Sequence, residues 1–448
     1  MAQQTTPASI RQLFRTWRWL LVAPSLLLWW LIGQFDKTNI SLVIADRSFL
    51  EELQLTGRYA ELGSLMSLFF IGYGISIFFW GFLVDRFGPR FCLILGTIGW
   101  GVVMGMMSRA SSLEELLAAR FLLGATEGNM WPVSNALTNR WFPAREHSRA
   151  QAFWLAGVTL GTAAGVPLVT TLILASGWRG MMVGLAVLSL VPLLLFAFIA
   201  NRPREQRGIA GHEVAEIESD QKRVAAAERM SFRELLKSIS FWLIAFCMFI
   251  STTTVFTMIQ WTPSFVTTHK QLSRESMAHW LTVGYVVSTL LAVGIGYIAD
   301  HTMQRARTAA WTCLSFALLV LPAAQLLPAV PSAVLLSTLI VVPVAIAALN
   351  GALLHSLVRP EAIARGTGIY SGLGTMCAAV GPWAFGKLIA GLDGQYWGGF
   401  LFLSLLNVMG AACYLALHRI SVRTARRAGA TEPASPRSGG ADISLAEP

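Results

Sequence analysis

Apolar residues gather in this 448-residue chain into long blocks of about 20 residues or more, and that length restricts the fold more than any other feature. A helix needs about 20 consecutive apolar residues to cross a hydrocarbon core of roughly 30 Å. The blocks lie near 19–44, 60–83, 90–108, 114–138, 149–175 and 179–200, and again near 240–267, 278–299, 308–328, 332–355, 366–391 and 396–417. Only 13% of the residues are charged, against about a quarter in soluble domains. Backbone amides have no water to bond inside lipid, so each block is expected to be helical. The expected fold is an all-α membrane protein with twelve transmembrane helices, numbered here as spans 1 to 12, in two six-helix bundles.

Charge placement checks the even count independently. With the N-terminus inside, cytoplasmic segments hold 25 of the 34 Lys and Arg. Outer loops and span ends hold seven, and Lys37 and Arg120 fall inside spans. This asymmetry predicts that both termini are cytoplasmic. It also accounts for the pI near 9.8 without invoking nucleic acid, since the basic residues are scattered over short loops. The expected organisation is a cytoplasmic N-terminal segment (1–18), a first bundle (19–200), a linker (201–238), a second bundle (239–417) and a disordered cytoplasmic tail (418–448). The linker mixes eight basic with seven acidic residues and reads as solvated and partly helical. The tail is rich in Ala, Gly, Pro and Ser. No small-residue cleavage site follows the first apolar run, so it reads as a retained span rather than a removed signal. The five cysteines show no CxxC spacing, which indicates neither a disulfide framework nor a metal site, and no cofactor is expected.

Charges inside spans are the exception that points to function. The stretch "LIGQFDKTNISLVIA" puts Asp36 and Lys37 inside span 1, and span 4 carries Arg120 and Glu127. A charge at the bilayer centre costs roughly 2.5–3.5 kcal/mol on insertion scales, so such residues face the bundle interior and find partners. Arg120 and Glu127 stand seven residues apart, two helical turns, and project from nearly one face. A buried carboxylate can exchange a proton near neutral pH, and Lys37 offers a compact cation to an anion. The structural alternative is a static cluster fastening span 1 to span 4, although buried ion pairs are poor stabilisers in their own right. Lys37 can also snorkel to the outer interface.

Between spans 2 and 3 stands "GFLVDRFGPR", in which Gly81 would allow close helix approach, Asp85 can accept from helix N-termini and arginines, and Gly88 and Pro89 turn the chain. The cognate place between spans 8 and 9, "GYIADHTMQRAR", repeats the spacing with Gly296 and Asp300. An echo at the same position of each half points to duplicated architecture. Here the chain resembles the major facilitator superfamily, whose loop signature G-x-L-x-D-R-x-G-R-[KR] is matched by Gly81, Leu83, Asp85, Arg86, Gly88 and Arg90, with Pro89 departing from it. Five further stretches resemble its anion:cation symporter branch of sugar-acid and carboxylate importers: "FDKTNIS", "ARFLLGATEGNMWP", "RWFPAREHSRAQA", "GWR" and "QWTPSF".

The resemblance implies a transporter and not an enzyme, and no nucleophile–base cluster argues otherwise. It implies proton coupling by Asp36 and Glu127, an anion contact at Lys37, where the family more often has arginine, and Arg120 as the partner that tunes Glu127. Tyr73 in span 2 and Gln260, before Pro263 in span 7, are further substrate-binding candidates. So are Ser371 and Thr375 in span 11. Sugar-acid members often carry asparagines around that part of span 11, and this chain does not, which leaves room for a simpler or aromatic carboxylate. The expectation is proton-coupled uptake of a small organic anion, by alternating access, through a monomer in a bacterial inner membrane. An organic-anion exchanger without proton coupling and a transporter-like anion sensor are the alternatives. Gly157, Gly161 and Gly165 in span 5 form a small-residue stripe expected to serve helix packing.

Overall fold

The computed structural model describes residues 16–207, 209–225, 237–302, 304–357 and 372–431. Among these, ten helices are long and apolar enough to cross a membrane. Two sequence features reconcile ten with the twelve expected. The helix Arg149–Phe196 would be about 72 Å long if straight, more than twice a bilayer core. It is interrupted at Gly177, whose φ of 68° lies in the left-handed region that favours glycine. Spans 5 and 6 are therefore a hairpin turned at the "GWR" motif. Span 4 is the other case. It is split into Leu113–Glu127 and Met130–Trp141, and neither piece alone is long enough to cross. Twelve crossings result among the described residues.

Close main-chain approach sets the packing of the first half. A Cβ on Gly157 would meet the Leu27 carbonyl oxygen at 2.5 Å, and one on Gly161 would meet that of Leu31 at 2.5 Å. The small-residue stripe thus lets span 5 lie directly on span 1, as expected. At the "GWR" turn, Glu52 accepts from Trp178 Nε1 at 2.8 Å and from both Arg179 Nε and Nη2, while Arg179 Nη1 donates to Ser108 O at 2.7 Å. The hydrogen bonds from Arg179 and Trp178 hold the Glu52 carboxyl below its usual range. A carboxyl lowered on folding stabilises above its unfolded value and loses that contribution as pH falls through the folded one. Glu52→Gln is therefore expected to cost at most about 1 kcal/mol at pH 7, because the pair is largely exposed. The difference in melting temperature from wild type should close as pH drops below the carboxylate range.

The linker is not wholly solvated. Its helix Gly211–Ala225 buries Glu213 and Ile217 against the first half. The reason is Arg18 at the start of span 1, which is 3% exposed and pairs with Glu146, Glu213 and Glu216. A buried guanidinium needs carboxylates around it, and the linker supplies two of the three.

The described contacts between the halves lie from the middle of the spans to the side away from the linker. Asp46 and Arg274 form a two-pronged ion pair at 2.7 and 3.0 Å. Tyr59 packs on Trp261 and Tyr396, and a Cβ on Gly63 would run into the Pro382 carbonyl. Ser67 Oγ donates to Ala379 O at 2.5 Å, and Phe70 meets Phe256 at 4.3 Å between ring centroids. The far side is closed.

Candidate functional site

All four midspan charges converge where spans 1, 2, 3 and 4 meet. Asp36 is 1% exposed, Lys37 5%, and Arg120 and Glu127 are fully buried. Adjacent positions on a helix point about 100° apart, so Asp36 and Lys37 address different neighbours. Lys37 Nζ lies 2.5 Å from Glu127 Oε2 and donates also to Gly33 O at 3.1 Å. It does not snorkel, and it is not paired with Asp36. Asp36 turns instead to span 3, where its Oδ2 accepts from Trp100 Nε1, while Oδ1 accepts from Asn39 Nδ2 at 3.2 Å.

Arg120 departs from its expected role. It was expected to pair with Glu127, but its Nε donates to Leu65 O at 3.1 Å and its Nη1 to Asp36 O at 3.4 Å. Its guanidinium also lies over the Phe69 ring at 4.9 Å. The planar fork ties the main chains of spans 1 and 2 to span 4, and its charge still faces both acids through a buried medium. Lys37 therefore takes the carboxylate that sequence reasoning gave to Arg120.

Glu127 stands at the last residue of the first piece of span 4, before the break at Gly128 and Asn129. Asn129 Nδ2 donates to Cys92 O at 2.9 Å, fixing that break against span 3. Gly128 and Asn129 both keep helical dihedrals, so the span is loosened there, where Pro132 has no N–H to offer the Gly128 carbonyl, rather than unwound. Glu127 Oε1 is buried with no hydrogen-bond partner among the described residues. An orphaned carboxylate oxygen in such a place is a ready acceptor for a proton or a ligand donor.

Tyr73 lies beside Lys37. It is 2% exposed, and Lys37 Nζ sits 5.5 Å from its ring centroid and 5.4 Å from that of Phe69. Gln260 does not reach the charges. Its Nε2 donates across the halves to Leu62 O at 3.2 Å, and its Oε1 is an unpartnered buried acceptor. Thr375 is buried on span 11, next to Met376, which packs against Gly74 of span 2. Ser371 lies outside the described residues.

The loop motif takes its place away from this cluster. Gly81 does not mediate close approach: a Cβ there would meet nothing within 4 Å. Spans 2 and 4 diverge at that end and leave a groove of about 340 Å³, lined by Gly81, Asp85 and Arg140 among others. Asp85 and Arg86 stand in the last turn of span 2, with Gly88 at φ 86° forming the turn. Arg90 donates to Ala197 O at 2.8 Å and so ties span 3 to the end of span 6. Asp300 occupies the matching last turn of span 8, as the internal echo predicts. The five cysteines are free thiols, and no metal-ligand cluster occurs among the described residues.

Several site residues left no mark in the sequence. Trp100, Phe69 and Phe256 are ordinary apolar span residues, and only their contacts single them out. The Asp46–Arg274 pair is separated by 228 positions and likewise gave no pattern.

The profile described as Major Facilitator Superfamily matches residues 26–382. The chain belongs to the major facilitator superfamily. It is 24% identical to a hexuronate transporter of Bacillus subtilis, over 88% of this chain and 94% of that one. It is 26% identical to a probable L-galactonate transporter of Escherichia coli, over 61% of this chain and 60% of that one. A probable sulfoacetate transporter of Cupriavidus necator is 28% identical, over 62% of this chain and 64% of that one. Among solved structures, the inward-facing, unoccupied form of a bacterial homologue of the lysosomal transporter Spinster superposes with a TM-score of 0.69 at 17% identity, covering 90% of this chain and 97% of that one. A D-xylose–proton symporter gives 0.69 at 16%, covering 88% and 96%. These structures establish the two-bundle fold. The sequence relatives bear out the resemblance to transporters of sugar acids and related anions, and the protein is a multi-pass membrane transporter rather than an enzyme.

Proposed function

We propose that the protein is a proton-coupled symporter importing a small organic anion by alternating access, as a monomer with both termini on the cytoplasmic face of a bacterial inner membrane. The observation that carries this reading is the buried Lys37–Glu127 pair with its one free carboxylate oxygen. Lys37 cannot serve Glu127 and a substrate carboxylate at full strength together. A proton on Glu127 neutralises the acid and frees the ammonium, so an anion is drawn in only when a proton arrives with it. Losing the proton on the cytoplasmic side returns Lys37 to Glu127 and expels the load. Arg120 keeps spans 1 and 2 in register, Tyr73 lines the cation, and Asp36, anchored on Trp100, senses the same protonation through the shared helix. Gln260 and Thr375 contribute from the second half, and Ser371 is retained as a candidate beside Thr375. The charged loop around Gly81, Asp85, Arg86, Gly88, Arg90 and Asp300 governs closure on the linker side. The anionic cargoes of the sequence relatives support an anion as substrate.

Proteoliposomes distinguish symport from exchange. Glu127→Gln is expected to abolish accumulation driven by a proton gradient while leaving counterflow exchange at a measurable rate, with Asp36→Asn showing the same pattern more weakly. Accumulation that persists in Glu127→Gln, or wild-type transport indifferent to collapse of the proton gradient, removes the symport assignment and leaves an exchanger.

A further inference from the structure

We propose that the anion carried here has a flat, largely apolar body, that of an aromatic or conjugated carboxylate, rather than the polyhydroxylated body of a sugar acid. This rests on the transport reading above and names the substrate class of that same site. Lys37 is the cation available to a carboxylate. The surface leading from it toward the second half is made of rings. Phe69 and Tyr73 flank its ammonium, with centroids 5.8 Å apart. Phe70 adjoins Phe69 at 5.2 Å and meets half-buried Phe256 of the second half at 4.3 Å. One turn beyond Glu127, Trp131 is half-buried and stands edge-on to Trp30 at 5.0 Å. Met376, a soft thioether, closes the opposite side against Gly74. When the halves part, the Phe70–Phe256 contact opens into a slot between aromatic faces, which suits a planar ring in stacked or edge-on geometry.

Partners for hydroxyls are scarce on the same surface. Within the second half, Thr252 Oγ1 already donates to Gly374 O and Thr257 Oγ1 to Thr253 O, whereas Ser67 Oγ, which donates to Ala379 O, is released when the halves part. Gln260 gives one N–H to Leu62 O across the same seam and keeps Oε1 unpartnered, so Gln260 and Ser67 are the polar side chains that a hydroxylated cargo would meet there. A sugar acid brings several hydroxyls, and each one buried without a partner lowers affinity by roughly tenfold. A ring loses no hydrogen bonds on entering and gains burial.

Calorimetric binding to the purified full-length chain in detergent tests this, because small aromatic acids cross bilayers uncharged and blur flux assays. Benzoate, cinnamate and glucuronate are the probes. The better of the two aromatic acids is expected to bind at least tenfold more tightly than glucuronate. Phe256→Asn, which adds an amide to the slot, should shrink that ratio severalfold, whereas Phe256→Leu, which keeps it apolar, should preserve it. Melting temperatures confirm that both variants are folded, and the wild-type ratio decides the matter if either is not. A wild-type ratio below tenfold, or in favour of glucuronate, overturns the inference and leaves anion transport standing. Binding of none of the three, together with no counterflow of any acid in proteoliposomes, overturns both.

Discussion

Lys37→Met is expected to abolish transport and to lower the melting temperature of the purified protein markedly. The cause is the partner left behind. Glu127 would keep a buried carboxylate with neither oxygen paired by a cation, and breaking one side of a buried ion pair typically costs about 3–5 kcal/mol. Adding Glu127→Gln to Lys37→Met should return most of the lost stability, because two neutral groups of similar volume replace the pair. It should not return proton-driven uptake. The double variant thus separates fastening from coupling. A Lys37→Met protein that melts like wild type would mean that the ammonium does not hold Glu127, and the coupling mechanism above would lose its basis.

The second large effect concerns packing rather than charge. A Cβ on Gly124 would collide with the Phe69 carbonyl oxygen and stand 2.8 Å from Tyr73 N, and one on Gly72 would collide with the Phe121 carbonyl. Both obstacles are main chain, which cannot rotate away. Gly124→Val is therefore expected to push span 2 from span 4, destabilise the protein by about 3 kcal/mol and separate Tyr73 and Lys37 from Glu127. Thermal melting and counterflow should fall together. Gly105→Ala in span 3, where a Cβ meets nothing within 4 Å, serves as the control and should be neutral or slightly stabilising. If Gly124→Val retains wild-type melting and exchange, the close seam between spans 2 and 4 does not set the site.

The two effects locate what was legible in the sequence and what was not. Asp36, Lys37, Arg120 and Glu127 were legible because an ion in an apolar span is expensive and has to be accounted for. Their pairing was not legible. Sequence spacing puts Arg120 and Glu127 on one face of span 4 and Asp36 beside Lys37, which suggests two local pairs. The structure crosses them, joining Lys37 to Glu127 and handing Asp36 to Trp100, because helices oriented against one another choose partners by position in space. Gly81 failed for a related reason. A glycine in a motif suggests close approach, but whether another helix is there to approach depends on where spans 2 and 4 diverge.

By itself, the sequence determined twelve helical crossings, their division into two halves, the internal echo of Asp85 and Asp300, and the set of charges that cannot be idle in lipid. Each follows from local physics: the length of an apolar run, the cost of an unpaired amide, the cost of a buried ion. Only the tertiary structure decided which acid holds Lys37, that Glu127 keeps one oxygen free, that Asp46 and Arg274 join the halves on the far side, and that the Phe69 and Tyr73 rings flank the cation. These depend on contacts between residues far apart in the chain, and side-chain pairing across helices is fixed by close packing that no short stretch of sequence contains.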